Sequence, residues 1–240
     1  MRVAIFLLTL VPLAACTPAH QTGINDPLEP MNRRVHAFNV GLDRNIIKPL
    51  AAPMKGGEGS GLGSAVVTVA GNAGSNLSLP GKTVNKLLQG RPIDALQNAT
   101  RFVVNTTLGF GGLTDPAAGA FNLPEKDTDF GETLAVWGLG EGPYLELPVL
   151  GPSNLRDATG KVVDVVIDPL RHALPPAEWN ATMIARVGGK AAQRARFGDT
   201  VESVLHGSAD SYAQTRQIWL DHRRHELGQE ADVIDPYAEN

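Results

Sequence analysis

The sequence predicts a mostly all-α protein, built from amphipathic helices joined by Gly/Pro-rich loops and with no membrane-spanning helix. Three observations point that way. Hydrophobic residues make up 42% of the 240-residue chain, yet past the first fifteen positions there is no run of ~18 apolar residues able to cross a bilayer. Apolar residues recur instead at helical spacing, most cleanly between Pro92 and Leu108. Segments of about ten strictly alternating residues, which a membrane β-barrel would need, do not appear.

The N-terminus stands apart from the fold. Arg2 opens a short positive region, Val3 to Leu13 is an apolar stretch, and Leu13-Ala14-Ala15-Cys16 closes it with small residues before a cysteine. This is a bacterial lipoprotein signal: residues 1–15 are cut away and Cys16 is acylated. Cys16 is the single cysteine of the chain, so no intrachain disulfide forms. Each buried acyl CH₂ contributes about 0.8 kcal/mol, and two or more chains anchor stably. Thr17 follows Cys16 in place of the Asp that retains such proteins in the inner membrane, which favours the outer membrane. Removal of Arg2 with the signal takes the net charge from −4 to −5. No dense basic run remains, which argues against nucleic-acid binding.

Residues 16–25 read as a lipidated polar tether, 26–227 as one helical domain, and 228–240 as an acidic, unstructured tail. Within the domain, Asp26 is placed to cap a helix whose first turn holds Pro27 and Glu29 and which runs to about Leu50. Met31, Val35 and Phe38 give it an apolar face. Arg33 and Arg34 lie elsewhere, available to lipid phosphates or to Asp26 and Glu29. Residues 55–64 form a glycine-rich loop that lacks the strand and the Gly-Lys-Ser/Thr of a phosphate cradle. Gly81-Lys82-Thr83 is no P-loop either, since Asn76 stands where glycine is needed. A short helix is expected from Pro80 to Gly90.

Pro92–Leu108 is the clearest helix. Asp94, Gln97, Asn98, Arg101 and Asn105 make one polar stripe, opposite Ile93, Leu96, Ala99, Phe102 and Val103, and Gly109 ends it. A stripe of amides with one acid and one Arg suits a wet channel or a buried polar contact. A tight apolar turn to Asp115 and a loop over 116–127 follow, then a short helix over 128–136. The stretch Phe130–Asp157 is rich in Gly and Pro yet strongly apolar, a shaped surface against a core, a ligand or a membrane, with a short strand near Leu145–Val149. Asp164 and Asp168 are placed for chelation or acid/base work, or simply as the polar face of a helix continuing from Asn154. Residues 178–205 read as helical with a break at Gly188-Gly189. Asp210–Leu227 reads as a last amphipathic helix with Tyr212 and Trp219 on its apolar side. No nucleophile elbow or His-Glu-x-x-His motif occurs, and His222 with His225 lacks a third metal ligand. The sequence therefore implies no enzyme, metal or cofactor.

Five ordered blocks resemble the MlaA (VacJ) lipoproteins of the Gram-negative outer membrane: DPLEPMNRRVHAFN (26–39), NLSLPGKTVNKLLQG (76–90), RFVVNTTLGFGGLTDPA (101–117), DFGETLAVWGLGEGPYLELPVLGPSNLRD (129–157) and DSYAQTRQIWLDHR (210–223). Residues 50–75 depart from the family pattern. The resemblance implies a ring of amphipathic helices in the outer membrane with an amphipathic central pore, associated with a trimeric porin. Mislocalised phospholipid would leave the outer leaflet through the pore and pass to the periplasmic carrier MlaC. It also implies that the motif positions line the pore or hold the fold: Asp26, Asn32, Arg33, Phe38, Asn39, Asn76, Arg101, Asn105, Gly109, Asp115, Gly131, Trp137, Gly138, Gly140, Gly142, Tyr144, Pro148, Gly151, Arg156 and Asp157. Trp137 and Tyr144 are expected near the polar–apolar boundary of the membrane. A structural lipoprotein bracing outer-membrane proteins and a lipid hydrolase are the competing readings.

Overall fold

A rod of 28 residues, Gly61–Leu88 (α3), is the spine of the computed structural model, which describes residues 24–51 and 61–229. Cys16, the signal, most of the tether and the tail from residue 230 lie outside the described residues. So does the part of the expected glycine-rich loop at 55–60, while its last residues, 61–64, are helical. Ahead of the spine come α1 (Glu29–Leu42), a π-helical turn (Asp43–Ile47) and α2 (Lys48–Ala51). After it come α4 (Pro92–Thr107), α5 (Pro116–Gly119) and α6 (Phe130–Val136). A two-stranded antiparallel hairpin, β1 (Tyr144–Leu147) with β2 (Gly151–Asn154), pairs Tyr144 with Asn154 and Leu147 with Gly151. The chain finishes with α7 (Leu155–Ile167), α8 (Pro169–Ala173), α9 (Pro176–Arg196), α10 (Gly198–Leu205) and α11 (Ser211–Glu226). The fold is mostly helical as expected, and among the described residues no helix is long and apolar enough to cross a membrane.

Pro92 starts α4 and Gly90 follows the end of α3 as expected, but other prolines and glycines mislead. Pro80 lies inside α3, so the short helix expected from Pro80 is the last part of the spine. Gly188 and Gly189 lie inside α9, which runs through them. Gly189 is there for contact: a Cβ on Gly74 would meet its Cα at 2.9 Å, so α3 and α9 cross backbone to backbone. Around that crossing Val67, Ala70 and Ala192 pack together. The loop expected at 116–127 contains α5, whose first turn is capped by the Asp115 carboxylate accepting from the Ala118 N–H. Asp129 caps α6 and Asn154 caps α7 in the same way. The strand expected near 145–149 is a hairpin whose turn holds Val149 at φ 68°.

Candidate functional site

Three of the helices, α1, α4 and α7, wear their polar sides inward. On α1, Asn32 and His36 are buried, with Asp43 just beyond, while Met31 and Phe38 of the expected apolar face are exposed. On α4, the buried residues are Ala95, Asn98, Arg101 and Asn105, whereas Ile93 is 80% and Leu96 68% exposed. On α7, Arg156, Asp157 and Gly160 are buried, and Leu155, Val162 and Val166 face out at positions i, i+7 and i+11. Exposed hydroxyls on these outer faces turn back on their own helices: Thr100 donates to the Leu96 carbonyl, Thr107 to Val103 and Thr159 to Leu155. The described residues bury more polar and charged side chains than hydrophobic ones, the reverse of a water-soluble domain.

The inward stripe of α4 is consumed by the loop that wraps it. Asn98 donates to the Lys126 carbonyl at 2.9 Å and accepts from the Lys126 N–H at 3.0 Å. Arg101 donates to the Leu123 carbonyl and pairs with Asp115 at 2.8 Å. Asn105 donates to Asp115 at 2.9 Å and accepts from the Ala117 N–H. Burial pushes the Asp115 carboxyl up, but Arg101, the Ala118 N–H and Asn105 outweigh it and hold the carboxyl below its usual range. Of the two uses foreseen for this stripe, the structure realises the buried polar contact. Gly109 permits the tight turn, since a Cβ there would lie 2.4 Å from the Asn105 carbonyl oxygen. Asn76 donates to Thr106 at 3.1 Å and lies against Gly112, where no Cβ would fit.

A second network joins the chain's beginning, middle and end. Asp26 does not cap α1; Leu28 holds that position without a side-chain bond. The buried Asp26 carboxylate instead accepts from Asn32 at 2.9 Å, from the Tyr212 hydroxyl and from Arg216. Asn32 also donates to the Tyr144 carbonyl and accepts from the Glu146 N–H. Asn39 donates to Glu146 and to the Leu147 carbonyl and accepts from the Val149 N–H at the hairpin turn. Tyr144 is 1% exposed, so the expected place at a membrane boundary is wrong. It packs on Tyr212, Trp219 and Leu220, and its hydroxyl donates to Glu146 at 2.5 Å. Burial, with Glu146 beside it, pushes the phenol well above its ordinary pKa. Arg33 pairs with Glu29 and, through two bonds, with Asp210 rather than Asp26.

The remaining motif positions fall in a third cluster and on the surface. Asp157 accepts from Arg156 at 2.9 Å and from Arg223 at 2.8 Å, and Arg223 also reaches Asp129 at 2.6 Å. Gly131 lies against this cluster, where a Cβ would stand 2.5 Å from Asp157. Trp137 is half exposed, stacks edge-on to Phe130 and donates to the Leu88 carbonyl at 3.1 Å. Gly138, Gly142 and Gly151 have positive φ, Gly140 faces open space, and Pro148 and Phe38 are exposed. Asp164 and Asp168 do not act as a pair. Asp164 accepts from Asn85 and the Phe130 N–H, while Asp168 caps α8 and pairs with Arg186 at 2.5 Å. The sequence reading puts Tyr212 simply on the apolar side of the last helix and gives Glu146, Arg216 and Arg223 no role of their own; their partners lie up to 190 residues away. Asn154, three residues before Asp157, did carry a readable capping signal.

Polar faces inward and apolar faces outward define a helical protein of an apolar environment. The family model for the MlaA lipoprotein matches residues 24–226. The chain is 32% identical over 226 residues to the intermembrane phospholipid transport system lipoprotein MlaA of Escherichia coli (strain K12), across 91% of this chain and 84% of that one. It is 39% identical over 150 residues to an uncharacterized protein of Rickettsia felis, 62% of this chain but just 58% of that relative's length. A solved chain from work on the structural basis for maintenance of bacterial outer membrane lipid asymmetry superposes with a TM-score of 0.68, at 31% identity, over 84% of this chain and 98% of that one. The chain belongs to the MlaA lipoprotein family.

Proposed function

We propose that this protein is an outer-membrane lipoprotein, anchored through acylated Cys16 and facing the periplasm, that removes mislocalised phospholipids from the outer leaflet. The lipid passes through an amphipathic pore in a ring of helices, beside a trimeric porin, and is handed to a periplasmic carrier of the MlaC type. The observation that carries this reading is the inverted burial of α4 and α7: Asn98, Arg101, Arg156 and Asp157 inside, Ile93, Leu96, Val162 and Val166 outside. In water that arrangement exposes apolar area at roughly 25 cal/mol per Å² with nothing gained in return. Against acyl chains the same faces cost nothing. The naming of the Escherichia coli relative for intermembrane phospholipid transport supports the cargo.

A diacyl lipid has some thirty methylenes, so bare passage through water costs on the order of 20 kcal/mol. A covered path removes that barrier without any bond being made or broken, so no catalytic residue is required. The motif positions belong to this path through the elements they hold: the Asn32 and Asp115 networks fix the hairpin and the 109–127 loop against their helices. Deletion of the gene, followed by probing intact cells for outer-leaflet phospholipid, tests the reading. Exposed phospholipid should rise and return to normal on complementation; an unchanged level overturns it. Cys16→Ala should abolish palmitate labelling, and retained label overturns the anchor.

A further inference from the structure

Arg33 and Arg34 are neighbours in sequence with opposite fates. Arg33 is held by Glu29 at 2.7 Å and Asp210 at 2.9 Å and lies 4.5 Å over the Tyr212 ring. Arg34 is exposed, and no described residue offers it a hydrogen bond or ion pair. At 100° per residue, Arg34 flanks a stripe made by Leu28, Met31, Val35, Phe38 and Leu42. Leu28, Met31 and Phe38 of that stripe are exposed, as is Ile46 in the π-helical turn beyond it. About a quarter turn round α1 from this stripe, Asn32, His36 and Asn39 meet the hairpin and α11. This stripe therefore has an uncovered apolar surface with a free cation along its edge.

We propose that α1 lies in the plane of an anionic lipid surface, its Met31–Phe38 stripe among the acyl chains and the Arg34 guanidinium on lipid phosphate. The inference rests on the membrane reading above and adds to it a headgroup preference and the residue that sets it. Two features of the chain select lipid over a protein partner. The guanidinium is placed beside the apolar stripe, as a side chain reaching from acyl chains to phosphates must be. Residues 17–23, at ~3.3–3.6 Å each, span at most about 25 Å, so acyl chains on Cys16 enter the bilayer within roughly that distance of Ile24, five residues before α1. A basic residue at an anionic lipid surface contributes about 1 kcal/mol, or roughly fivefold in partitioning.

The test uses the full mature chain carrying Cys16→Ser, so that acyl chains do not dominate, diluted from mild detergent onto vesicles and floated. Vesicles of phosphatidylcholine alone are compared with vesicles holding 30% phosphatidylglycerol. The Cys16→Ser chain should float several-fold better with the anionic vesicles, and that preference should weaken at high salt. Adding Arg34→Gln should remove about fivefold of the anionic binding and leave binding to phosphatidylcholine unchanged, with far-UV helicity intact; Arg34→Lys should keep most of it. Equal flotation with both vesicles, unmoved by Arg34→Gln, overturns the headgroup contact while leaving the membrane reading standing. Failure to float with either overturns both.

Discussion

The Asn32 side chain stands in for a strand: its amide donates to the Tyr144 carbonyl at 3.1 Å and its oxygen accepts from the Glu146 N–H at 3.0 Å, across 112 residues of chain. The hairpin edge is thereby completed by a helix side chain that is itself wholly buried. Asn32→Ala leaves a backbone carbonyl and a backbone N–H without partners and takes a donor from Asp26. Each unsatisfied buried group costs ~1–3 kcal/mol, so the variant should lose about 2–6 kcal/mol. Denaturant unfolding in detergent, followed by near-ultraviolet circular dichroism of the Tyr144–Tyr212–Trp219 cluster, measures this directly. Asn32→Asp should do no better, because a carboxylate cannot donate to Tyr144 and would face Asp26.

Glycines of the Phe130–Asp157 block and its neighbours differ sharply in tolerance. A Cβ on Gly160 would stand 2.4 Å from the Gly131 nitrogen, backbone that cannot swing aside, so α6 and α7 touch through that pair. Gly160→Ala should cost about 1–3 kcal/mol or more as the helices are forced apart. Gly140→Ala meets nothing within 4 Å and its φ is not in the left-handed region, so it should stay within about 0.5 kcal/mol of the parent. Thermal unfolding of the two variants side by side checks the contrast.

These residues also mark how far the sequence could be read. Pro92–Thr107 declared itself through one clean polar stripe, whereas the β-branched run after Asn154 fits helix or strand alike and pointed to a helix through Asp164 and Asp168 at i, i+4. Periodicity names the two faces of a helix, but it cannot say which one is buried. That choice belongs to the surroundings, and the α4 stripe of amides and Arg turned inward because the 113–127 loop offers it carbonyls and a carboxylate. Gly189 read as a helix break because its purpose, room for Gly74, sits on another helix. Asp26 read as a cap for the same reason: local rules propose a local partner, whereas Tyr212 and Arg216 are supplied from the far end of the chain.

Acid should loosen the link between α1 and α11. The Arg33 guanidinium, then the Ala213 N–H, lower the Asp210 carboxyl to about 2. A carboxyl depressed on folding contributes stability that is complete above its unfolded value near 4 and is lost as pH falls through about 2. Both side chains are over 40% exposed, so solvent screening limits the pair to below about 1 kcal/mol. Asp210→Asn should cost no more than that at pH 7, together with a weakened cap on α11, and the gap to the parent should narrow between pH 4 and pH 2. Paired denaturant titrations across that range measure it, and a gap that widens toward acid would contradict the assignment.

The outward faces of α4 and α7 give the sharpest functional prediction. On a water-soluble protein, replacing an exposed aliphatic residue by Asp is close to neutral. Leu96 and Val162 are 68% and 66% exposed, and neither substitution meets a buried group, so Leu96→Asp and Val162→Asp should unfold in detergent much as the parent does. If those faces lie against acyl chains, a carboxylate there costs up to about 2.5–3.5 kcal/mol in the membrane. Cells relying on either variant should then display more outer-leaflet phospholipid than parent cells, at equal protein level. Asp at Thr200, exposed on α10, serves as the matched charge elsewhere and should leave the phospholipid signal unchanged. Parent-like asymmetry with Val162→Asp would mean that the outer face of α7 meets water, and the inverted burial would need another cause.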